Sequence, residues 1–185
     1  MSGGKPVILK IRALIVIGAA LATGLAAGCT VRPLLGTDAG GAGEEIAVTL
    51  SSVAVQPVGT REAQEVRNHL IFLFQGGNPQ PADPSHTLGL AVSRRVTSAV
   101  QVQRGNENEP TAGTVTLIGQ YRLNDAATGE LLAQGRREVS AGFDRPRQEY
   151  AVLRAQRVAE DRAARELAEL IRLAVAQDLA RLDVR

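Results

Sequence analysis

The sequence predicts an α+β fold, a two-layer sandwich in which two helices, one of them long and C-terminal, pack on a four-stranded, mostly antiparallel sheet. Alternating apolar residues indicate three long strands between residues 88 and 143. Apolar residues at helical spacing indicate one helix before these strands and a longer one after them. Each element has one apolar face, so the helices and the sheet can bury each other in the order β-α-β-β-β-α.

Residues 1–28 have the pattern of a secretory signal. Residues 1–12 contain basic side chains and no acidic one, and residues 13–25 carry no charge. A basic segment followed by an apolar segment and small residues is typical of such a signal. The apolar run is shorter than the roughly 20 residues that a helix needs to span a bilayer.

Residues 25–29, Leu-Ala-Ala-Gly-Cys, contain the only cysteine of the chain. They resemble the bacterial lipoprotein signal, although Leu25 lies four rather than the usual three positions before Cys29. The resemblance implies cleavage after Gly28, attachment of diacylglycerol to the Cys29 sulfur, and an acyl chain such as palmitate on the new amine. Acylation by several chains gives stable membrane anchoring. Thr30 follows the cysteine in place of the Asp that marks inner-membrane retention, which favours the outer membrane.

Cleavage changes the charge of the protein. Removing residues 1–28 takes away three of the 21 basic residues and none of the 19 acidic ones, which leaves a formal net charge of −1. The mature chain therefore lacks the basic footprint of a nucleic-acid-binding protein. Both lysines are lost with the signal, so every remaining basic residue is an arginine. Arginine binds phosphate as a planar fork.

The mature chain is predicted to consist of a tether and one domain. Residues 29–45 are rich in glycine, which predicts a flexible tether between the lipid and the fold. Residues 46–185 are long enough for a single domain with one core. Aromatic residues make up only 3% of the chain, so aliphatic side chains must build that core.

The domain is predicted to begin with a strand and a helix. Ile46, Val48 and Leu50 lie at alternate positions, which predicts a first strand that continues after a break to Val55. Thr60 is placed to cap a helix whose apolar residues recur at helical spacing. Glycine and proline after that helix predict its end.

Three antiparallel strands follow. Residues 88–102, 115–123 and 131–143 each place apolar side chains on one face, and Arg94 and Arg137 interrupt that face. Turn-forming sequences separate the strands. The opposite face is predicted to be exposed to water. Its polar side chains include Gln120, Arg122, Gln134, Arg136, Glu138 and Ser140.

From Asp144 onward the pattern is helical. Asp144 is predicted as the N-cap, and the helix is predicted to continue to Leu182. Its apolar stripe contains Ala164, Leu167, Ile171, Val175, Leu179 and Leu182. The adjacent acids Glu160 and Asp161 are interpreted as part of its solvated face.

Several short segments follow Cys29 in a fixed order. They are Val-Arg-Pro-Leu at 31–34, Glu-Val-Arg-Asn-His-Leu at 65–70, Gly-Gln-Tyr-Arg-Leu at 119–123, Asp-Ala-Ala-Thr-Gly at 125–129, Gln-Glu-Tyr-Ala at 148–151 and the helical stretch 163–171. In this order they resemble the LptE family of lipopolysaccharide (LPS) assembly lipoproteins, in its alphaproteobacterial form. The resemblance covers nearly the whole mature chain.

The resemblance implies a role in binding rather than in catalysis. LptE-like proteins are lipid-anchored in the outer membrane, face the periplasm, form a plug inside the β-barrel LptD, assist its assembly and bind LPS during its insertion into the outer leaflet. It therefore implies LptD and LPS as partners and no cofactor beyond the acyl chains on Cys29. The alternative is a periplasmic lipid- or solute-binding lipoprotein that serves as an auxiliary subunit of a lipid transporter.

Arg104, Arg136 and Arg137 are the candidate LPS-binding residues. By resemblance, LPS binding involves basic residues around this strand and hairpin region, and an arginine fork can bind a lipid A phosphate with two hydrogen bonds. The alternative is that these arginines are ordinary solubilising charges. Arg137, like Arg94, shares the parity of apolar residues and therefore needs a partner or a strand end.

The sequence offers no catalytic or metal site. His69 and His86 lack the spacing of metal ligands, and no serine lies in a nucleophile-elbow motif. With its cysteine acylated, the mature chain has no thiol nucleophile. The predicted protein is therefore not an enzyme.

Overall fold

The computed structural model describes residues 42–101 and 110–182. The predicted signal peptide 1–28, the lipidated Cys29 and the tether up to residue 41 lie outside the described residues, as does Arg104.

The predicted α+β class and element order are confirmed, with one helix added before the first strand. The elements are α1 (Ala42–Ser51), β1 (Val53–Val55), α2 (Arg61–Gln75), β2 (His86–Gln101), β3 (Pro110–Asp125), β4 (Leu131–Asp144) and α3 (Glu149–Leu182).

The prediction of a first strand from Ile46 is wrong, because this segment forms α1 and only Val53–Val55 are extended. Ile46 and Leu50 are four residues apart and both buried, as on one face of a helix. Val48, which a strand would bury with them, is 65% exposed. The apparent alternation of buried residues therefore depended on Val48, an apolar residue that faces solvent. Because α1 begins at Ala42, it includes residues that the sequence placed in the tether.

α2 forms where the sequence predicts it, because both of its ends are capped. The Thr60 hydroxyl accepts a hydrogen bond from the Ala63 N–H, and Glu62 lies in the first turn. At the other end Gly76 adopts a left-handed φ of 61°, and its N–H donates to the Phe72 carbonyl. The buried face consists of Ala63, Val66, Leu70, Phe74 and Gln75.

The sheet has the strand order β1-β2-β3-β4. β1 runs parallel to β2, with Val53 opposite His86, and α2 forms the crossover between them. β2, β3 and β4 form the predicted antiparallel meander, in which Leu88 lies opposite Leu123 and Leu117 opposite Val139. The three long strands therefore place their apolar side chains on the same face.

α2 and α3 pack on that apolar face and against each other. α3 has 34 residues, which corresponds to about 51 Å. It begins at Glu149 rather than at the predicted cap Asp144, because β4 continues through Asp144, which pairs with Ala112. Its buried face includes many alanines, which allow a close approach to the sheet: Ala159, Ala163, Ala164, Ala168, Ala174 and Ala176.

Two glycines on neighbouring strands make room for the aromatic rings of the core. Tyr121 lies opposite Gly135, and Gly113 lies opposite Phe143. A Cβ atom at residue 135 would lie 2.6 Å from the Tyr121 Cε1 atom, and one at residue 113 would lie 2.4 Å from the Phe143 ring. Each ring therefore occupies the space above a glycine of the adjacent strand.

We predict that Gly135→Ala lowers the free energy of unfolding by about 1–3 kcal/mol, because Tyr121 must move to admit the methyl group. Gly59→Ala is the matched control, since a Cβ atom there has no atom within 4 Å. Urea unfolding of both variants measures the effect. Equal stability of the two variants would contradict the packing described for Tyr121.

Candidate functional site

The outer face of the meander is a polar surface that the helices leave uncovered. Both α2 and α3 pack on the other face, so side chains of one parity are buried and those of the other reach solvent. On β3, Tyr121 and Leu123 are buried, whereas Gln120 and Arg122 are exposed.

A Gln-x-Arg sequence occurs on both β3 and β4 and forms a cross-strand lattice. Gln120 lies opposite Arg136, and Arg122 lies opposite Gln134. Opposite side chains in an antiparallel pair have Cβ atoms about 4.5–5.5 Å apart. The lattice therefore alternates amide and guanidinium groups both along each strand and across the pair.

The turn between β3 and β4 fixes the register of this lattice. The Asp125 carboxylate accepts hydrogen bonds from the Thr128 N–H at 2.7 Å and from the Ala127 N–H and the Thr128 hydroxyl at 2.9 Å. The Thr128 bonds, the backbone one first, lower the pKa of Asp125. Gly129 completes the turn with a φ of 73°.

The lattice lines an open groove of about 690 Å³. Gly89 and Ala91 of β2 keep its floor low, and Gln56, which follows β1, contributes to its lining. A volume of this size lies within the range of small-molecule sites, about 300–1,000 Å³. Gln120, Arg122, Gln134 and Arg136 supply its polar groups.

The two arginines of the groove have different partners. Arg136 donates a hydrogen bond of 2.7 Å to the Glu138 carboxylate, and both side chains are about half exposed. Among the residues that the structure describes, Arg122 has no carboxylate partner. Guanidinium groups bind phosphate or carboxylate, and amides bind hydroxyls. The groove is therefore suited to an anionic group flanked by hydroxyl groups.

The structure separates the candidate LPS-binding arginines that it describes. Arg136 lies in the groove, whereas Arg137 is half-buried on the opposite face of β4. Its guanidinium donates to the backbone carbonyl of Arg136 at 2.8 Å. Arg136 and Arg137 therefore cannot converge on one phosphate from the same face of the sheet.

The sequence analysis assigned Arg122, Gln120 and Gln134 to the wet face but did not select them as site residues. The available signal was the repeated Gln-x-Arg sequence on two strands joined by a short turn. The β3–β4 register was needed to show that Gln134 lies opposite Arg122 and so belongs to the same lattice.

Arg94 pairs with two carboxylates of the helix layer. Its guanidinium is 2.5 Å from the Glu160 carboxylate and 3.2 Å from that of Glu62. Glu160 is only 4% exposed and also pairs with Arg61 at 3.3 Å. The interpretation of Glu160 as a solvated residue is wrong, because α3 turns this side chain toward α2 and β2. Arg94 thus has a structural role.

Tyr121 is tied to α3 by a hydrogen bond. Its hydroxyl donates to the Asp178 carboxylate at 2.7 Å. Burial, the hydrogen bond and the charge of Asp178 together raise the pKa of Tyr121 to about 12. The phenol therefore remains protonated at physiological pH and links β3 to the C-terminal part of α3.

The two histidines of the chain lie apart from the groove. His69 lines a smaller depression between α2 and α3, and the Nδ1 atom of His86 is buried without a hydrogen-bond partner. Within residues 42–101 and 110–182, no three His, Cys, Asp or Glu side chains are grouped to hold a metal ion. In the same ranges, no helix has the length and hydropathy of a membrane span.

One family model matches the chain. The model of the family described as "LptE: Lipopolysaccharide-assembly" matches residues 49–175. No curated protein matches the chain in a sequence comparison.

Solved structures show the same fold. The chain is similar to a putative lipoprotein from Caulobacter crescentus, with 27% identity, a TM-score of 0.61 and coverage of 74% of this chain and 97% of that one. The rare lipoprotein B from Shewanella oneidensis shares the fold at 13% identity and a TM-score of 0.53, covering 71% and 96% of the two chains. A minor lipoprotein from Acinetobacter baumannii does so at 11% identity and a TM-score of 0.50, covering 68% and 89%.

We predict that the Tyr121 phenol titrates with a midpoint near pH 12, which ultraviolet absorbance of the phenolate measures. The experiment uses the Tyr150→Phe variant, because the chain has only two tyrosines. The folded pKa lies above the unfolded value of about 10. The stability from this bond is therefore complete below pH ~10 and is lost as the pH rises toward ~12. Asp178→Asn should lower the midpoint; an unchanged midpoint would contradict the assigned bond.

Proposed function

Because this chain belongs to the LptE family of lipopolysaccharide-assembly proteins, we propose that it is a lipoprotein of the outer membrane that binds LPS and forms a plug inside an LptD-type β-barrel. In this proposal Cys29 carries the acyl chains after cleavage at Gly28, and the domain faces the periplasm. The protein assists assembly of the barrel and handles LPS without catalysing a reaction.

The proposal that the protein binds LPS rests on the Gln-x-Arg lattice of the open sheet face. LPS combines phosphates with sugar hydroxyls, and the groove combines Arg122 and Arg136 with Gln120 and Gln134. A phosphate that binds Arg136 can take the place of Glu138, whose pair with this arginine is exposed and therefore weak. Arg122 is available without breaking an ion pair within the described chain.

Apolar side chains on the outer surface of the helix layer support contact with a protein partner. Phe72 of α2 is 63% exposed, and Leu170 and Leu173 of α3 are 36% and 40% exposed. Large apolar side chains exposed on one layer of a fold can contribute to a protein interaction site. This surface lies on the side opposite the groove, so the barrel and LPS can be bound by different faces.

The predicted anchor is compatible with entry into a barrel. Residues 30–41 separate Cys29 from α1, and a chain of that length spans at most about 40 Å when extended. The domain can therefore reach into a lumen while its acyl chains stay in the membrane.

We predict that Arg122→Ala combined with Arg136→Ala weakens LPS binding by about tenfold or more, since a hydrogen bond to a charged group contributes about 1.5–3 kcal/mol. The control combines Arg147→Ala and Arg157→Ala, two exposed arginines without a hydrogen bond or ion pair in the described chain. Equilibrium binding of labelled LPS at fixed ionic strength measures the change. An equal loss in both variants would show a diffuse charge effect and overturn the groove as the LPS site.

We predict that a photo-crosslinker at residue 72 or 170 captures an outer-membrane β-barrel in living cells, because these positions are exposed and apolar. The same crosslinker at residue 134, where Gln134 is exposed on the opposite face, is the control and should capture the barrel less. Crosslinks to an inner-membrane transporter instead would support an auxiliary transporter subunit and overturn the barrel complex.

A further inference from the structure

β4 is an edge strand whose outward backbone groups can be assigned. The Arg145 N–H donates to the Thr111 carbonyl of β3, so odd-numbered residues at this end bond to the neighbouring strand. The carbonyls of Arg136 and Gly142 instead accept bonds from side chains at the open edge. Even-numbered residues of β4 therefore point their N–H and C=O groups away from the sheet.

Two arginines of the same chain occupy part of this edge. Arg137 Nη1 donates to the Arg136 carbonyl at 2.8 Å, and Arg162 Nη2, from α3, donates to the Gly142 carbonyl at 2.7 Å. Glu138 and Ser140 lie between the two capped carbonyls. A strand that paired along β4 would have to displace both guanidinium groups.

The opposite edge of the sheet is closed in the same manner. On β1 the Val55 N–H donates to the Gln80 side chain at 2.6 Å, the Gln75 amide donates to the Val53 carbonyl at 3.2 Å, and Arg67 donates to the Val55 carbonyl. Side chains thus bind outward backbone groups on both edge strands. Exposed edges template pairing with other chains unless they are blocked.

The charges of β4 do not by themselves prevent pairing with a second copy. In an antiparallel β4–β4 pair, outward-facing even-numbered residues of one copy bond to even-numbered residues of the other, so the twofold axis falls at a residue and not between two residues. The axes that pair the most residues of β4 lie at Arg137 or Glu138. Either axis sets one charged residue opposite its own copy, which is destabilising, but the Arg137 axis also sets Arg136 of each copy opposite Glu138 of the other, which is favourable. The capped carbonyls are therefore the main obstacle to pairing.

We propose that Arg137 and Arg162 are guards of the β4 edge, which keep it from pairing with β4 of a second copy of this chain. They act by capping the outward carbonyls of Arg136 and Gly142, so that a pairing strand must first displace both guanidinium groups. A membrane-anchored protein is concentrated at one surface, where an open 14-residue edge would favour self-association. The guards keep the protein monomeric and available to other partners.

The test compares wild type with the Arg137→Ser/Arg162→Ser variant, as full chains in detergent, by sedimentation at rising concentration. We expect the variant to form dimers with a dissociation constant at least about tenfold below that of wild type. Arg147→Ser/Arg157→Ser, which removes the same charge away from the edge, should behave as wild type. A guard variant that stays monomeric with an unchanged circular dichroism spectrum would overturn the proposal.

A proline distinguishes edge pairing from general aggregation. The Ser140 N–H faces outward, so Ser140→Pro removes no bond to β3 but blocks a pairing strand. Added to the guard variant, it should restore the monomer; assemblies that persist would overturn the proposal. If the double variant fails to fold, Arg137→Ser alone, which keeps the Arg162 cap, is tested against the same two outcomes.

Discussion

The buried carboxylate of Glu160 is the point at which the two layers of the protein are joined. It lies on α3, and a charge in this position requires cations beside it. Arg94 supplies one from β2 and Arg61 another from α2. A buried ion pair adds little net stability relative to apolar packing, so we infer that its main effect is to fix how α3 lies on the sheet. With both helices held on one face, the other face is left open for the groove.

The structure uses arginine for three tasks, which depend on strand parity and on the position of the strand in the sheet. Arg94, on the helix-facing side of the inner strand β2, pairs with Glu160. Arg137, on the same side of the edge strand β4, caps that edge, and Arg122 and Arg136 line the groove on the outer face. Because every basic residue after Arg12 is an arginine, composition alone does not separate these tasks. The planar fork suits each of them, since it binds carboxylates, backbone carbonyls and phosphates alike.

Most of the fold follows from periodicity, because the long strands and both main helices have clear apolar faces and α2 is capped at both ends. The exception is α1, where Ile46 and Leu50 fit a helix as well as a strand and only the exposure of Val48 separates the two. The site was less predictable. Alternation placed Arg136 and Arg137 on opposite faces, but the partners of Arg122 depend on the β3–β4 register, and the pairing of Glu160 depends on how α3 meets α2. These are contacts between distant segments, which local patterns do not encode.

β1 is joined to β2 by three residue pairs, from Val53↔His86 to Val55↔Leu88. The two residues of each pair are separated in the sequence by all of α2 and the loop after it. β3 and β4, in contrast, are separated only by the short turn at Asp125. Pairing between distant segments forms more slowly than a hairpin. The meander is therefore expected to assemble first, and the α1–β1–α2 segment to dock onto it last. Because α1 is the element nearest in sequence to the predicted lipidation site Cys29, folding would end at the part of the chain next to that site.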